Sequence, residues 1–356
     1  MSQNTSSERL KLPRLLTPGA LLKLALGLGI SALFVFLLLR QLDFAELIKH
    51  LREAAMWPLL LGTSVFLAGY TLRVYRWQLI LRQYNPDVTL AGCTGPFYAT
   101  IAANNVLPLR LGDVLRLFAF NSRLGINVRW SLASVIAERG HDLLILFLFV
   151  PLIYMLSQRS INDKSETQAY LFTLLPLIAA ALTAAVLLFP RLFKSLLKWL
   201  LGIAGTHLPR KLQEGADFIF AVLDILQSLA VPRIFSRLVA VSFLGWCCEA
   251  GAFVGAALSL NTNYPTQGAL LGFPLGTLAA VIPSAPGFIG TFDYFTCLGL
   301  QLTGWSREAA LSCAFLSHLI IIVPVTLIGG LYLMLRPPML TRTASDHRDS
   351  TFAVRF

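Results

Sequence analysis

Charge is scarce in this sequence. Only 13% of its 356 residues are Asp, Glu, Lys or Arg, about half the usual share of a soluble domain. Hydrophobic residues make up 56%, and the mean hydropathy is +0.69. The apolar runs leave no stretch long enough for a water-soluble domain of any size, so the bilayer is the main solvent. Acidic residues are scarcer than basic ones, 18 against 29, giving a net charge of +11. The Lys and Arg residues cluster in short loops between apolar runs, so membrane topology accounts for them and nucleic acid is not expected as a partner. The five cysteines, Cys93, Cys247, Cys248, Cys297 and Cys313, lack the paired spacing of a disulfide framework or zinc site and read as small buried apolar residues. Also missing are G-x-S-x-G, H-E-x-x-H and the G-x-x-x-x-G-K-[ST] phosphate loop. No catalytic residue, metal or cofactor is assigned, and direct use of ATP is not expected.

What is present is a series of apolar runs near the roughly 18 to 20 residues that cross a bilayer as a helix. Six read as full spans: 20–39, 56–72, 135–154, 170–189, 238–260 and 309–335. Arg9, Lys11 and Arg14 precede the first, but no small-residue cleavage site follows it, so it reads as an uncleaved span. Two further regions, 90–107 and 268–300, are broken by Pro and Gly. If both re-enter the membrane and leave on the side they came from, and the N-terminus is cytoplasmic, most of the 29 basic residues face the cytoplasm. A full crossing at 90–107 would place the basic loop 191–237 outside. The expected fold is therefore an all-α polytopic membrane protein, six spans plus two re-entrant segments. Segment 1–19 and a disordered tail 336–356 are expected in the cytoplasm, flanking one transmembrane domain, 20–335, with halves 20–157 and 168–335.

The two broken segments are alike. "VLPLRLG" at 106–112 and "VIPSAPG" at 281–287 match without gaps at Val, a branched aliphatic, Pro and Gly. With opposite sides of approach, the halves look like an inverted repeat. Segments 44–53 and 214–229 have apolar residues at helical spacing against a charged face, as interfacial helices or plain linkers do.

In the first broken segment, Asn104, Asn105 and Pro108 are expected to stop the entering half-helix, Gly112 to allow a tight reversal, and Asp113 to cap a new helix. Arg110 and Arg116 could grip phosphate oxygens, with Asn105 and Asp113 beside them, making this a candidate lipid-headgroup site. The alternative is a surface loop with a capping Asp113. Next, Ser131, Ser134, Glu138 and Asp142 form one polar stripe at helical spacing. Arg139 and Asp142 could pair, and His141 adds a titratable group. Glu249 shares a face with Ser242 and Trp246 and needs a partner across the bundle, with Arg139 and Arg110 as candidates. These charges form either a working network or a clamp between helices. In the second broken segment Pro283, Pro286, Gly287 and Gly290 break the backbone before Thr291 and Asp293, which either start a helix or line a pathway. His318 lies alone on an apolar helix and reads as a satisfied core residue; Lys23 and Arg76 read as snorkelling.

These motifs resemble one family. "P-x-R-x-G-[DE]-x-x-R" at Pro108, Arg110, Gly112, Asp113 and Arg116, "E-R-x-x-D" at Glu138, Arg139 and Asp142, and "P-x-x-P-G-x-x-G" at Pro283, Pro286, Gly287 and Gly290 are similar to the membrane region of bacterial lysylphosphatidylglycerol synthases and their stand-alone, flippase-like relatives. The resemblance covers about 20–335. It departs where Asp113 and Asp293 replace the usual Glu, where "PSAPGFIG" replaces a more glycine-rich form, and where His318 stands in place of a frequent Arg. With few residues after the last span, an aminoacyl-transferase domain is not expected. The resemblance then implies a bacterial inner-membrane protein that translocates or handles a polar, phosphate-bearing lipid. Two other readings stay open: a membrane-embedded transferase on a lipid phosphate, with Asp113 or Glu138 as base, and a scaffold for a lipid- or glycan-modifying enzyme.

Overall fold

The computed structural model describes residues 18–40, 42–107, 110–157, 166–203, 209–260 and 262–336, and every regular element among them is a helix. Pro108, nearly all of segment 1–19 and the tail beyond Arg336 lie outside the described residues, as does the Lys23 side chain. In chain order the helices are α1 (Pro18–Leu39), α2 (Phe44–Arg52), α3 (Met56–Leu81), α4 (Leu90–Val106), α5 (Leu111–Phe118), α6 (Asn121–Leu124), α7 (Val128–Ser157), α8 (Glu166–Ala169), α9 (Leu175–Leu188), α10 (Pro190–Ile203), α11 (Arg210–Leu229), α12 (Pro232–Ser259), α13 (Gln267–Ala279), α14 (Thr291–Gln301) and α15 (Arg307–Leu335). A π-helical turn, Tyr170–Leu174, joins α8 to α9.

Among the described residues, four helices are long and apolar enough to cross a bilayer: Val128–Leu156, Glu166–Leu188, Pro232–Ser259 and Arg307–Leu335. The end of α1 and α2, bent by 92° to each other, make a fifth if taken as one broken span. The expected full span 56–72 is the first part of α3, which runs on to Leu81, carrying Arg76 into the interior with Arg73 half-buried beside it. Between α3 and α12, glycines replace side chains at the contact: a Cβ on Gly62 would lie 3.3 Å from the Cα of Gly255, and one on Gly69 would lie 3.1 Å from the Gly245 carbonyl. Small residues let the two backbones approach where lipid offers no hydrophobic drive for association.

The two broken segments are hairpins that reach opposite ends of α15. α4 begins beside Tyr332, whose ring lies on Gly95, and ends beside Thr326, which accepts a hydrogen bond from Asn105 at 2.9 Å. The chain then turns back through α5 and α6, so that Arg123 bonds the Tyr332 hydroxyl at 3.0 Å. α13 and α14 run antiparallel, with Gly268 against Thr303, Gly272 against Thr296 and Gly276 against Thr296 and the Phe292 carbonyl. This second hairpin closes at Trp305, immediately before α15 begins. At 13 and 11 residues, α13 and α14 are about 20 and 17 Å long, short of the roughly 30 Å hydrocarbon core. α15 spans both hairpins and carries Pro324 in its interior.

Amphipathic α2 and α11 form as expected, and α11 also buries Val222, Leu226 and Leu229 against the α7 and α12 side of the bundle. Between them in sequence, the stretch read as a basic loop contains a third amphipathic helix, α10, whose Lys194 pairs with Asp224 of α11 at 2.6 Å. Leu192, Leu196, Trp199, Leu200 and Ile203 remain exposed on its other face. Of the cysteines, Cys93, Cys297 and Cys313 are buried, but Cys247 is exposed and Cys248 is half-buried, close to Gly69 of α3.

Gly329 and Gly330 separate close packing from helix propensity. A Cβ on Gly329 would strike the Tyr98 carbonyl of α4, whereas one on Gly330 meets nothing within 4 Å. Gly329→Ala is expected to cost about 1–3 kcal/mol and Gly330→Ala to be neutral or stabilising by up to about 1 kcal/mol. Unfolding titrations of the detergent-solubilised variants measure both, and equal effects would count against the α4–α15 contact.

Candidate functional site

The tip of the first hairpin differs from its expected construction. Arg110, not Asp113, occupies the cap position of α5, and its φ of 55° makes the reversal expected of Gly112. Gly112 is helical and serves close approach: a Cβ there would lie 2.6 Å from Asn104 Oδ1 and would also strike the Thr100 carbonyl. Asp113 sits in the first turn of α5. Its backbone N–H donates to Asn104 Oδ1 at 3.1 Å, and its carboxylate accepts from Asn104 Nδ2 at 2.9 Å. One asparagine thus fastens α5 to α4 through both of its amide atoms.

At the tip of the second hairpin, a 3-10 turn at Pro286–Phe288 carries two left-handed residues, Gly287 (φ 70°) and Phe288 (φ 59°), followed by Gly290 (φ 88°). Pro283 is exposed and Pro286 half-buried at this break. Asp293 opens α14 by accepting the Gly290 N–H at 2.9 Å, a helix-start role among those foreseen for it. His318 is not alone. Its Nδ1 lies 2.7 Å from Asp293 Oδ1, and its Nε2 lies 2.8 Å from the Gly287 carbonyl.

The two tips meet. Arg110 donates to the Ala280 carbonyl, and its guanidinium lies 5.4 Å from the Phe288 ring centroid. Arg110 and Phe288 are the non-glycine residues with positive φ among the described residues, and they face each other. Left-handed geometry costs such residues on the order of 1–3 kcal/mol, and strain of this kind collects at clamps and switches.

Beneath the tips, three arginines pair with three carboxylates in the interior. Arg116 meets Glu138 at 2.6 Å, and its guanidinium lies 4.1 Å from the Trp77 ring centroid and 5.3 Å from that of Phe97. Arg76 is not a snorkelling residue. It is buried, donates to Asp142 at 2.6 and 3.1 Å and to Ser242 at 2.7 Å, while Trp246 Nε1 donates to the same carboxylate at 3.0 Å. Arg73 pairs with Glu249 and stacks 4.1 Å over Trp246. The expected Arg139–Asp142 pair is therefore absent, since Asp142 faces α3. Glu249 likewise takes Arg73 rather than Arg139 or Arg110. Arg139 points the other way, half-exposed, with Asp113 at 3.6 Å. The polar stripe Ser131, Ser134, Glu138 and Asp142 is buried throughout, and His141 beside it donates from Nδ1 to the Ala137 carbonyl at 2.7 Å.

The site residues named from sequence thus fall into three places. Arg110, Asp113 and Arg139 lie at the partly exposed mouth with Asn105 close by; Arg116, Glu138, Asp142 and Glu249 lie behind it; Asp293 and His318 hold the second tip. Arg73, Arg76, Trp77, Trp246 and Asn104 were missed as members. The signal was available in "TLRVYRW", where two arginines three apart interrupt an apolar run and fall on one helix face.

A helical protein with several membrane-crossing helices and a buried, charge-paired centre is a multi-pass membrane protein. This chain belongs to the family described as the lysylphosphatidylglycerol synthase TM region, whose model matches residues 24–329. It is also similar to the protein named glycosyltransferase AglD from Haloferax volcanii, 25% identical over 337 residues. That match covers 87% of this chain and 53% of the relative, so the chain spans about half the length of the curated protein it matches.

The Arg116–Glu138 pair gives a direct test of the buried charges. Removing the cation alone, Arg116→Met, leaves Glu138 unpaired and is expected to cost roughly 3–5 kcal/mol of unfolding free energy. The double variant Arg116→Met/Glu138→Met is expected to recover most of it. A double variant no more stable than the single one would mean that the ion pair itself, not charge balance, is what the bundle needs.

Proposed function

We propose that this protein translocates or handles a polar, phosphate-bearing lipid between the leaflets of a bacterial inner membrane, with both termini cytoplasmic and the halves related as an inverted repeat. The observation that carries the reading is the clasp between the tips: a strained, partly exposed arginine holds a backbone carbonyl of the opposing hairpin. A phosphate is a stronger acceptor for a guanidinium than a carbonyl is, so an arriving headgroup would compete for Arg110 and part the tips. Arg139 beside it supplies a second cation, and Asn105 and Asp113 position the rim. Arg116 would serve from behind, setting the field rather than touching the lipid.

The interior suits a polar passenger. Arg76 Nε, Arg116 Nε, Glu138 Oε1 and His141 Nε2 are buried and keep unused hydrogen-bonding capacity, each worth about 1–3 kcal/mol if met by a ligand or water. The phosphate class of substrate follows the family's name, and alternating opening of two hairpins needs no nucleotide.

The similarity to a protein named as a glycosyltransferase favours a second reading: this unit is the membrane partner of a lipid- or glycan-modifying enzyme. Under that reading the hairpin tips present a lipid-linked substrate. A membrane-embedded transferase is a weaker fit, because Glu138 is already held by Arg116 and Asp113 by Asn104.

Vesicles carrying the purified protein and a fluorescent phospholipid decide the matter through the rate at which an external quencher reaches inner-leaflet lipid. Arg110→Asn, which tolerates the left-handed backbone but removes the guanidinium, is expected to slow that rate roughly tenfold or more, the loss of one charge-assisted hydrogen bond. Equal rates would remove Arg110 from the mechanism. No accessibility above protein-free vesicles would favour the partner reading.

A further inference from the structure

The second tip is held by two clasps of different chemistry. Arg110 is a fixed cation on the Ala280 carbonyl, whereas His318 is a titratable group on the Gly287 carbonyl. Both ring nitrogens of His318 face acceptors. The Gly287 carbonyl can only accept, and Asp293 Oδ1, 2.7 Å from Nδ1, belongs to a carboxylate whose other oxygen already accepts the Gly290 N–H. A neutral imidazole has one N–H and one lone pair, so it satisfies one of these contacts and sets a lone pair against an oxygen in the other. With Asp293 ionised, only the ring with two N–H groups makes both.

No other charged side chain reaches the ring among the described residues. α1 has no ionisable group between Leu24 and Leu39, and α13 has none at all. On α12 and α3, Glu249 and Arg73 are engaged with each other, and Arg76 is engaged with Asp142 of α7. From the first hairpin Asn105 is bonded to Thr326 and Arg110 to Ala280, while the Phe292 ring covers one face of the imidazole at 4.6 Å.

We infer that His318 with Asp293 is a proton-binding site, and that the proton is the ion coupled to opening of the second tip. The bound proton completes the Nε2–H to Gly287 bond and closes the tip. In the opening step the Nε2–H bond breaks, its proton passes to water, and the electron pair stays on nitrogen; Nδ1–H remains with the carboxylate. The Nε2 lone pair then faces the Gly287 carbonyl 2.8 Å away, and the contact separates. A Cβ on Gly287 would lie 3.5 Å from the Asn105 carbonyl and 3.4 Å from Ile322, so the turn sits at the seam between the hairpins and its release loosens that seam. The site rests on the lipid-handling reading only for what the opening accomplishes.

The test uses the full chain in vesicles at matched internal and external pH, between about pH 5 and 8, where histidine charge changes. Wild-type lipid accessibility is expected to quicken with pH, by at most about tenfold per unit, the slope of a single proton. His318→Arg, which keeps N–H donors that cannot be lost, is expected to be slow and flat; His318→Gln is expected to be flat at the high-pH rate. An active wild type with no pH dependence, or a His318→Arg variant as pH-dependent as wild type, overturns the proposal. If wild type moves no lipid, the translocation reading fails separately, and nitrogen NMR of histidine-labelled protein decides the proton site. The ring signal lost in His318→Arg, or identified from neighbouring contacts should that variant not fold, is expected to be doubly protonated at the acid end. A neutral ring throughout would overturn it.

Discussion

Charge neutrality in a low-dielectric interior is the constraint on which this structure depends. Three arginines and three carboxylates sit in the bundle, and an unpaired one would cost several kcal/mol. Each pair joins different helices: α3 to α12, α3 to α7, and α5 to α7. The pairs therefore fix which helices are neighbours. Aromatic rings complete the arrangement, since Trp77 and Trp246 each present a face to a guanidinium whose edge is occupied by a carboxylate. α5, only eight residues long, is anchored at this depth by Arg116 on its inner face and by the two hydrogen bonds between Asn104 and Asp113 at its start.

On this fixed base the hairpin tips are built differently. Their backbone is bent into left-handed conformations at Arg110, Gly287, Phe288 and Gly290, and much of their contact is through carbonyl oxygens. Carbonyl acceptors are easily exchanged for water or for a phosphate oxygen, whereas the buried carboxylates below are not. On the proposed reading the tips are the part that opens and the paired charges the part that keeps its shape, and the boundary runs between Asp113 and Arg116, one turn apart on the same helix.

Much of this was legible in the sequence. The apolar runs gave the helical membrane class, and the paired interruptions at 106–112 and 281–287 marked both hairpins. The stripe at Ser131, Ser134, Glu138 and Asp142 pointed inward because helical spacing alone placed it on one face. Partners were not legible. Asp142 chose Arg76 over Arg139, and Glu249 chose Arg73, because contacts between helices depend on rotations that no local pattern encodes. Gly112 misled for a related reason: a glycine beside a proline suggests a turn, but here its missing side chain admits the Thr100 carbonyl while an arginine takes the unusual backbone angle. His318 looked solitary because its two partners, Asp293 and Gly287, lie in the second hairpin and not on its own helix. α10 was hidden by its lysines, which read as a loop although the Leu and Trp residues between them follow a helical period.

One proline gives this division a mechanical side. Pro324 stands in α15 between His318, which holds the second hairpin, and Thr326, which holds the first. Having no N–H, it leaves the Ile320 carbonyl without its usual helical donor and weakens the rod at that level. The shared wall of the two hairpins is therefore jointed between its points of attachment. A bend at that level would change the angle between the two attachments while the clasp of Arg110 on the Ala280 carbonyl still ties the tips to each other.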